Sequence, residues 1–380
     1  MQNINKTRLA ILALSSLAAT TFAQPAFSIE DLGAANGASE AFAINNYDQV
    51  VGWSFLANGA RGAMLWSNGG MQIINNTSSN SAAYAINDDG VIVGRRATRP
   101  VHFTGINTIR DLGTFNGPGG VAYGINEYGQ VAGTAQRADG IWRAFSNRYD
   151  RIQNPLDLGS LGGNTSVARD VNNVGCYAGY ASSGGPTKAV MYSPGSPIFN
   201  IGTLGGPQSE AHSISDYFGI TGWSDLNRRH NTPTNLGYVR HAMLWTPEAG
   251  RRDLGDPYTA GKTIRTDSAG RKYFTMTIRE GEIVRTVNVY GVDTFGEGVN
   301  KWNVVCGYAR IYCGPTPRTI DRAIVWISGR MYDLNDLLGN DGLEWNLDHA
   351  WGLNDGSVIV GRGFNYSTGS YRAFKATRTR

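Results

Sequence analysis

The chain has 380 residues, 41% hydrophobic and 17% charged, with 50 glycines and a formal net charge of +4. That is too little charge for a disordered chain and too many turn formers for a helix bundle, and it leaves no electrostatic footprint for nucleic acid. No window carries the 3.6-residue apolar period of an amphipathic helix, so an all-β fold is expected.

The first segment has Lys6 and Arg8, an apolar run from Leu9 to Ala19, and Thr21-Phe22-Ala23 before Gln24-Pro25. The run is too short to span a membrane, and small residues precede the break, so residues 1–23 are read as a secretory signal. Its removal leaves 32 basic against 30 acidic residues. The remaining 24–380 is read as one propeller domain, exported to the periplasm or medium, with no membrane span and no anchor after Ala376.

Phe27-Ser-Ile-Glu-Asp-Leu-Gly33 comes next, a strand sequence with no hairpin before it. Then a unit begins that the chain writes seven times, as in Ala83-Tyr-Ala-Ile-Asn-Asp-Asp-Gly-Val-Ile-Val-Gly94. A strand ends at Asn, whose side chain can cap its own turn; a left-handed position follows, then a Val/Ile-rich strand, which together make a β-hairpin. The apolar residue before the Asn is Ile44, Ile86, Ile125, Val171, Ile214, Val299 or Leu353, and a glycine stands eight positions later each time. Successive anchors lie 42, 39, 46, 43, 85 and 54 residues apart. A unit of that size suits a four-stranded propeller blade.

Two more strands follow most hairpins: an aromatic-aliphatic run such as Ala63-Met-Leu-Trp66 or Arg372-Ala-Phe374, then one ending in Asp-Leu-Gly, as at Ile109–Gly113. The seventh unit lacks that last strand, and the orphan at Phe27–Gly33 supplies it. The expected fold is therefore an all-β, seven-bladed propeller closed by the N-terminal strand, which removes two open sheet edges.

Connections between strands one and two, and three and four, stay short, so the irregularity gathers on the opposite face. Blade five has a long connection from Asp225 to Tyr238 containing Arg228-Arg229-His230. Between blades five and six lies an insertion, residues 256–295, expected to form a hairpin arm from Arg271–Ile278 and Ile283–Tyr290 around the turn Arg279–Glu282. From Lys262 to Arg285 it holds six basic residues against three acidic ones. A degenerate eighth blade is the competing reading, but the segment has neither the Asn-x-x-Gly hairpin nor the Trp-containing strand. Export permits disulfides; of three cysteines, Cys306 and Cys313 either bridge or, since Cys306 falls where other copies have valine, pack as core. No Cys-x-x-Cys or His-x-x-x-His suggests a metal site, and no cofactor is expected.

As a set, Asp157-Leu-Gly-Ser-Leu-Gly-Gly163, the Ala-x-x-Ile-Asn-x-x-Gly-x-Val-x-Gly unit and His241-Ala-Met-Leu-Trp245 resemble the HAF family of extracellular repeats, over nearly all of Phe27 to Phe374. The resemblance implies a secreted bacterial protein of propeller type and brings no settled activity with it.

Two positions before each anchor the repeat lets the residue vary: Phe42, Tyr84, Tyr123, Arg169, His212, Glu297 and Trp351. Neighbouring positions are mostly Ala, Gly or Ser, so these seven are read as lining the channel mouth. Packing suits Phe42 and Trp351 best, whereas charges between blades would need partners. Two functions of different class compete. One is a monomeric binding protein for an acidic polysaccharide or cell-surface partner, using Tyr84, Glu297, Arg228, Arg229, His230, Arg271 and Lys272. The other is a polysaccharide lyase, with Arg169 neutralising a uronate carboxylate, His212 taking the C5 proton and Tyr123 protonating the leaving oxygen. A structural surface or matrix role is the third. Of the tryptophans outside the third strands, Trp53, Trp142, Trp223 and Trp302, most are expected in the core.

Overall fold

A computed structural model describes residues 25–150, 155–233, 235–314 and 318–379; the signal segment lies outside them. The strands form seven sheets arranged as a seven-bladed propeller, six of them four-stranded and one six-stranded. Phe27–Asp31 pairs antiparallel with Ser370–Arg378, from Phe27 opposite Arg378 to Asp31 opposite Phe374, and so completes blade seven. Third-strand aromatics such as Trp66, Phe145 and Phe374 are buried, in clusters that draw on adjacent blades.

The hairpin asparagine works twice. In blade two, Asn87 Oδ1 accepts the Val91 N–H at 2.8 Å, capping its own turn, while Nδ2 donates to the Asn126 carbonyl of blade three at 3.2 Å. The same link runs from Asn45 to Asn87, Asn126 to Asn172, Asn172 to Ser215, Asn300 to Asn354 and Asn354 to Asn45. One turn residue thus stitches each blade to the next around the mouth of the channel. Among the described residues the seam between blades five and six lacks this link, because blade five has Ser215, whose hydroxyl accepts the N–H of its own Gly219. A second row of stitches explains the alanine of the third strand. The N–H groups of Ala63, Ala144, Ala189, Ala242 and Ala373 donate to Ser81, Ser166, Ser209, Thr294 and Ser39 of the following blade.

All seven inner hairpins contain a β-bulge, and the extra residue is the variable one. Ala83 faces Gly94 and Ala85 faces Val93, which leaves Tyr84 unpaired; the same skip isolates Phe42, Tyr123, Arg169, His212, Glu297 and Trp351. A bulge re-aims its residue, here towards the axis. It also explains the glycine eight after each anchor. A Cβ on Gly94 would run into the Ala82 carbonyl oxygen, and one on Gly52, Gly133, Gly179, Gly222, Gly307 or Gly361 would meet the equivalent carbonyl.

The insertion departs from the freestanding arm expected. Lys272–Glu280 and Ile283–Val299 form its hairpin, with a turn of only Gly281-Glu282 between them, and the second strand runs on to become the innermost strand of blade six. Phe274, Ile278 and Val289 bury an apolar face with Tyr258, Ile311 and Ile324, so the arm is docked on that blade. Its tip reaches towards blade seven, where Gly281 lies against the Tyr366 ring. Cys306 and Cys313 are free and buried on one strand, Val305–Gly314, seven residues and about 23 Å apart along it, so they cannot bridge. Trp53 and Trp223 are core, but Trp142 and Trp302 are exposed, against expectation. No helix among the described residues is long and apolar enough to cross a membrane.

Candidate functional site

The seven bulge residues meet around the axis. Phe42, Tyr84 and Tyr123 form an aromatic arc, with ring centroids 5.0 Å and 5.7 Å apart, and Trp351 closes it on the other side at 6.1 Å from Phe42. The rest of the circle is charged. The Arg169 guanidinium lies 4.6 Å from the Tyr123 centroid and 5.8 Å from that of Tyr180. His212 Nδ1 is 2.8 Å from Glu297 Oε2, with Glu210 Oε2 3.5 Å from Nε2. All seven are half-buried.

Electrostatics give His212 a definite role. Burial opposes charge on the ring, but Glu297 and then Glu210 outweigh it and push His212 up to about 9. At neutral pH it is an imidazolium, with no lone pair for taking a proton. Arg169 makes no ion pair with a carboxylate among the described residues; its cation rests on two tyrosine faces, and its buried Nε has no hydrogen-bond partner. Tyr123, Arg169 and His212 do come from consecutive blades, and the structure brings Tyr123 against Arg169, while His212 is held by Glu297.

Residues supporting the ring went unnoticed in the sequence. Glu40 accepts the indole N–H groups of Trp351 at 2.7 Å and Trp53 at 2.9 Å. Glu40 and Glu210 both stand four before an anchor, and Tyr180 and Tyr308 nine after one. These register positions were the available signal.

A second site lies outside the ring, where blade five's connection faces the arm. Here a cavity of about 390 Å³ is lined by Arg228, Arg229, Lys272, Tyr273 and Tyr290 over a floor of Phe274, Val289 and Val292. Arg228, Arg229 and Lys272 are exposed and make no ion pair with a carboxylate among the described residues. Arg271, expected with them, pairs instead with Asp267 at 2.9 Å and leans on Tyr290. His230 is buried: Nε2 lies 2.6 Å from Asp293 Oδ1, whose other oxygen accepts Tyr312 OH at 2.8 Å. It anchors the connection to blade six and lines the floor of the cavity from there. Tyr84 and Glu297 belong to the ring and do not reach this cleft.

No family model matches the chain, and no curated protein does. Among solved structures it is similar to TolB from Acinetobacter baumannii, at 13% identity and a TM-score of 0.42, over 79% of this chain and 66% of TolB. It is also similar to a gluconolactonase, XC5397 from Xanthomonas campestris, at 11% and 0.37, over 93% and 94%. An arginine-to-alanine triple mutant of AofleA from Arthrobotrys oligospora follows at 8% and 0.32, over 81% and 90%. Similarities this low tie the chain to the activity of none of them.

Proposed function

We propose that this is an exported propeller of HAF-repeat type that binds an acidic polysaccharide in the cleft between blade five's long connection and the docked arm. One observation carries the reading: three exposed cations, Arg228, Arg229 and Lys272, converge without carboxylate partners on a 390 Å³ cavity that also presents Tyr273 and Tyr290. Guanidinium groups without a carboxylate partner suit carboxylates, for which their fork of donors is shaped, and tyrosine faces suit the apolar face of a pyranose. Binding is favoured over elimination because His212 already carries its proton and is held by Glu297, so it stands as a donor.

Titration calorimetry with uronate oligosaccharides tests this. Binding should weaken about a hundredfold or more in Arg228→Ala/Arg229→Ala, each of the two lost charged contacts being worth about 1.5–3 kcal/mol. Equal affinity in the double variant would remove the cleft from consideration. Absorbance from unsaturated uronate, appearing with the wild type and lost in His212→Ala, would establish the lyase instead. Failure of every glycan tried to bind or turn over would favour a structural role.

A further inference from the structure

The short-loop face carries a feature that neither the cleft nor the ring accounts for. The tip of each inner hairpin, three residues after the anchor, is Tyr47, Asp89, Tyr128, Val174, Tyr217, Trp302 or Gly356. Four are aromatic, and they are 73%, 65%, 67% and 66% exposed for Tyr47, Tyr128, Tyr217 and Trp302. Single exposed aromatics need no explanation, but four at one register position around one channel mouth make a crown.

The crown is rigid. The backbone N–H groups of Tyr47, Tyr128 and Trp302 each donate to the Oδ1 of the turn's own asparagine at 3.0–3.1 Å. The next residue in every turn holds a positive φ, and the belt of asparagine links ties turn to turn. Aromatic rings on such turns bind without an ordering cost in the backbone. Between them stand Asp48, Asp88, Asp89, Glu127, Asp216 and Asp355, six carboxylates against the one cation of Lys301 on these turns. Asp88 and Asp216 already accept from Asn46 and Asn173, Glu127 from the Asp88 N–H, and Asp355 pairs with Lys301, which leaves Asp48 and Asp89 the most open of the six. The mouth itself encloses only about 170 Å³, so a ligand would lie across the tips and not enter the channel.

We infer that this face binds an amine-bearing glycan, a chain of glucosamine-like units laid across the crown. A tyrosine face beside a carboxylate recurs in blades one, three and five, as Tyr47 with Asp48, Tyr128 with Glu127 and Tyr217 with Asp216, while Trp302 has Lys301 beside it; a recurring element suits a ligand that itself repeats. The rings stack on the apolar faces of successive pyranoses, and the carboxylates take the ammonium groups. The excess of carboxylates turns away the acidic glycans that suit the cleft, so the two faces select opposite charge.

The probe is the β-1,4-linked glucosamine hexamer at mildly acidic pH, measured by titration calorimetry, with the N-acetylated hexamer and hexalysine alongside. The glucosamine hexamer should bind, and Tyr128→Ser/Trp302→Ser should weaken it about tenfold or more while leaving the thermal midpoint unchanged, since both rings are in solvent. Asp48→Asn/Asp89→Asn should weaken it several-fold, as should N-acetylation. The inference falls if the hexamer does not bind, if its affinity survives loss of the two rings, or if the N-acetylated hexamer binds as well. It falls equally if hexalysine binds as tightly and ignores the aromatic substitutions, for then the face is only an acidic patch.

Discussion

Raising the pH from 6.5 towards 9 should cost this fold stability through one residue, His212. Its imidazolium sits 12% exposed between Glu297 and Glu210, and its folded-state value of about 9 lies above the ordinary 6.5. A group raised on folding contributes fully below its unfolded value and loses that contribution as pH climbs through the folded one. The gap of about 2.5 pH units, at about 1.36 kcal/mol each, sets a ceiling near 3 kcal/mol, lost between pH 6.5 and 9. Urea unfolding across that window, on the wild type and on His212→Gln, reads it directly: the midpoint should fall for the first and stay level for the second. Burial also raises the Cys306 thiol and the Tyr308 phenol, but their ordinary values are 9.0 and 10.0, so they weaken the fold only at the top of the window and beyond it, in both proteins alike. Parallel slopes for the two proteins would refute the argument.

Gly94→Ala should cost more than about 2 kcal/mol in denaturant unfolding, because the new Cβ meets the Ala82 carbonyl and only backbone movement relieves it. Asn87→Ala removes both the cap on Val91 and the link to Asn126, with an expected loss of about 2–3 kcal/mol; Asn87→Asp keeps the cap but sets a buried carboxylate oxygen against the Asn126 carbonyl, so it should lose at least as much. Ser215→Asn should supply the absent link to blade six and raise the unfolding midpoint by the equivalent of about 1 kcal/mol.

The propeller was legible because each blade repeats local chemistry: a capping asparagine, a left-handed turn position and a glycine at fixed spacing. Even the bulge was written there, since a strand needs the Gly94 type of residue only where the facing backbone comes too close. What the sequence hid depends on contacts between distant segments. His230 looked like part of a basic loop, but its partner Asp293 is 63 residues away, on a strand that begins inside the insertion. The arm read as freestanding because its alternating Phe274, Met276 and Ile278 do not announce which surface they cover; the answer is blade six. Trp302 was misjudged because size suggests burial, although its place at a turn tip, the position shared by Tyr47 and Tyr128, pointed outward.

The seam between blades five and six is held differently from the others. There the asparagine belt stops at Ser215, and there the chain inserts its arm. What holds the seam instead includes His212 on Glu297, Ala242 on Thr294, and the buried group of His230, Asp293 and Tyr312. Asp293 Oδ1 also accepts the Arg240 N–H at 2.7 Å, so one carboxylate grips both blade five's connection at His230 and the strand that follows it. Arg228 and Arg229 immediately precede His230, and Lys272 enters from the arm docked on blade six. The pair that substitutes for the absent link therefore also determines where the Arg228 and Arg229 guanidinium groups, which have no carboxylate partner among the described residues, stand relative to the ammonium opposite them. Closure of the ring and preorganisation of the cleft are, at this seam, the work of the same buried contact.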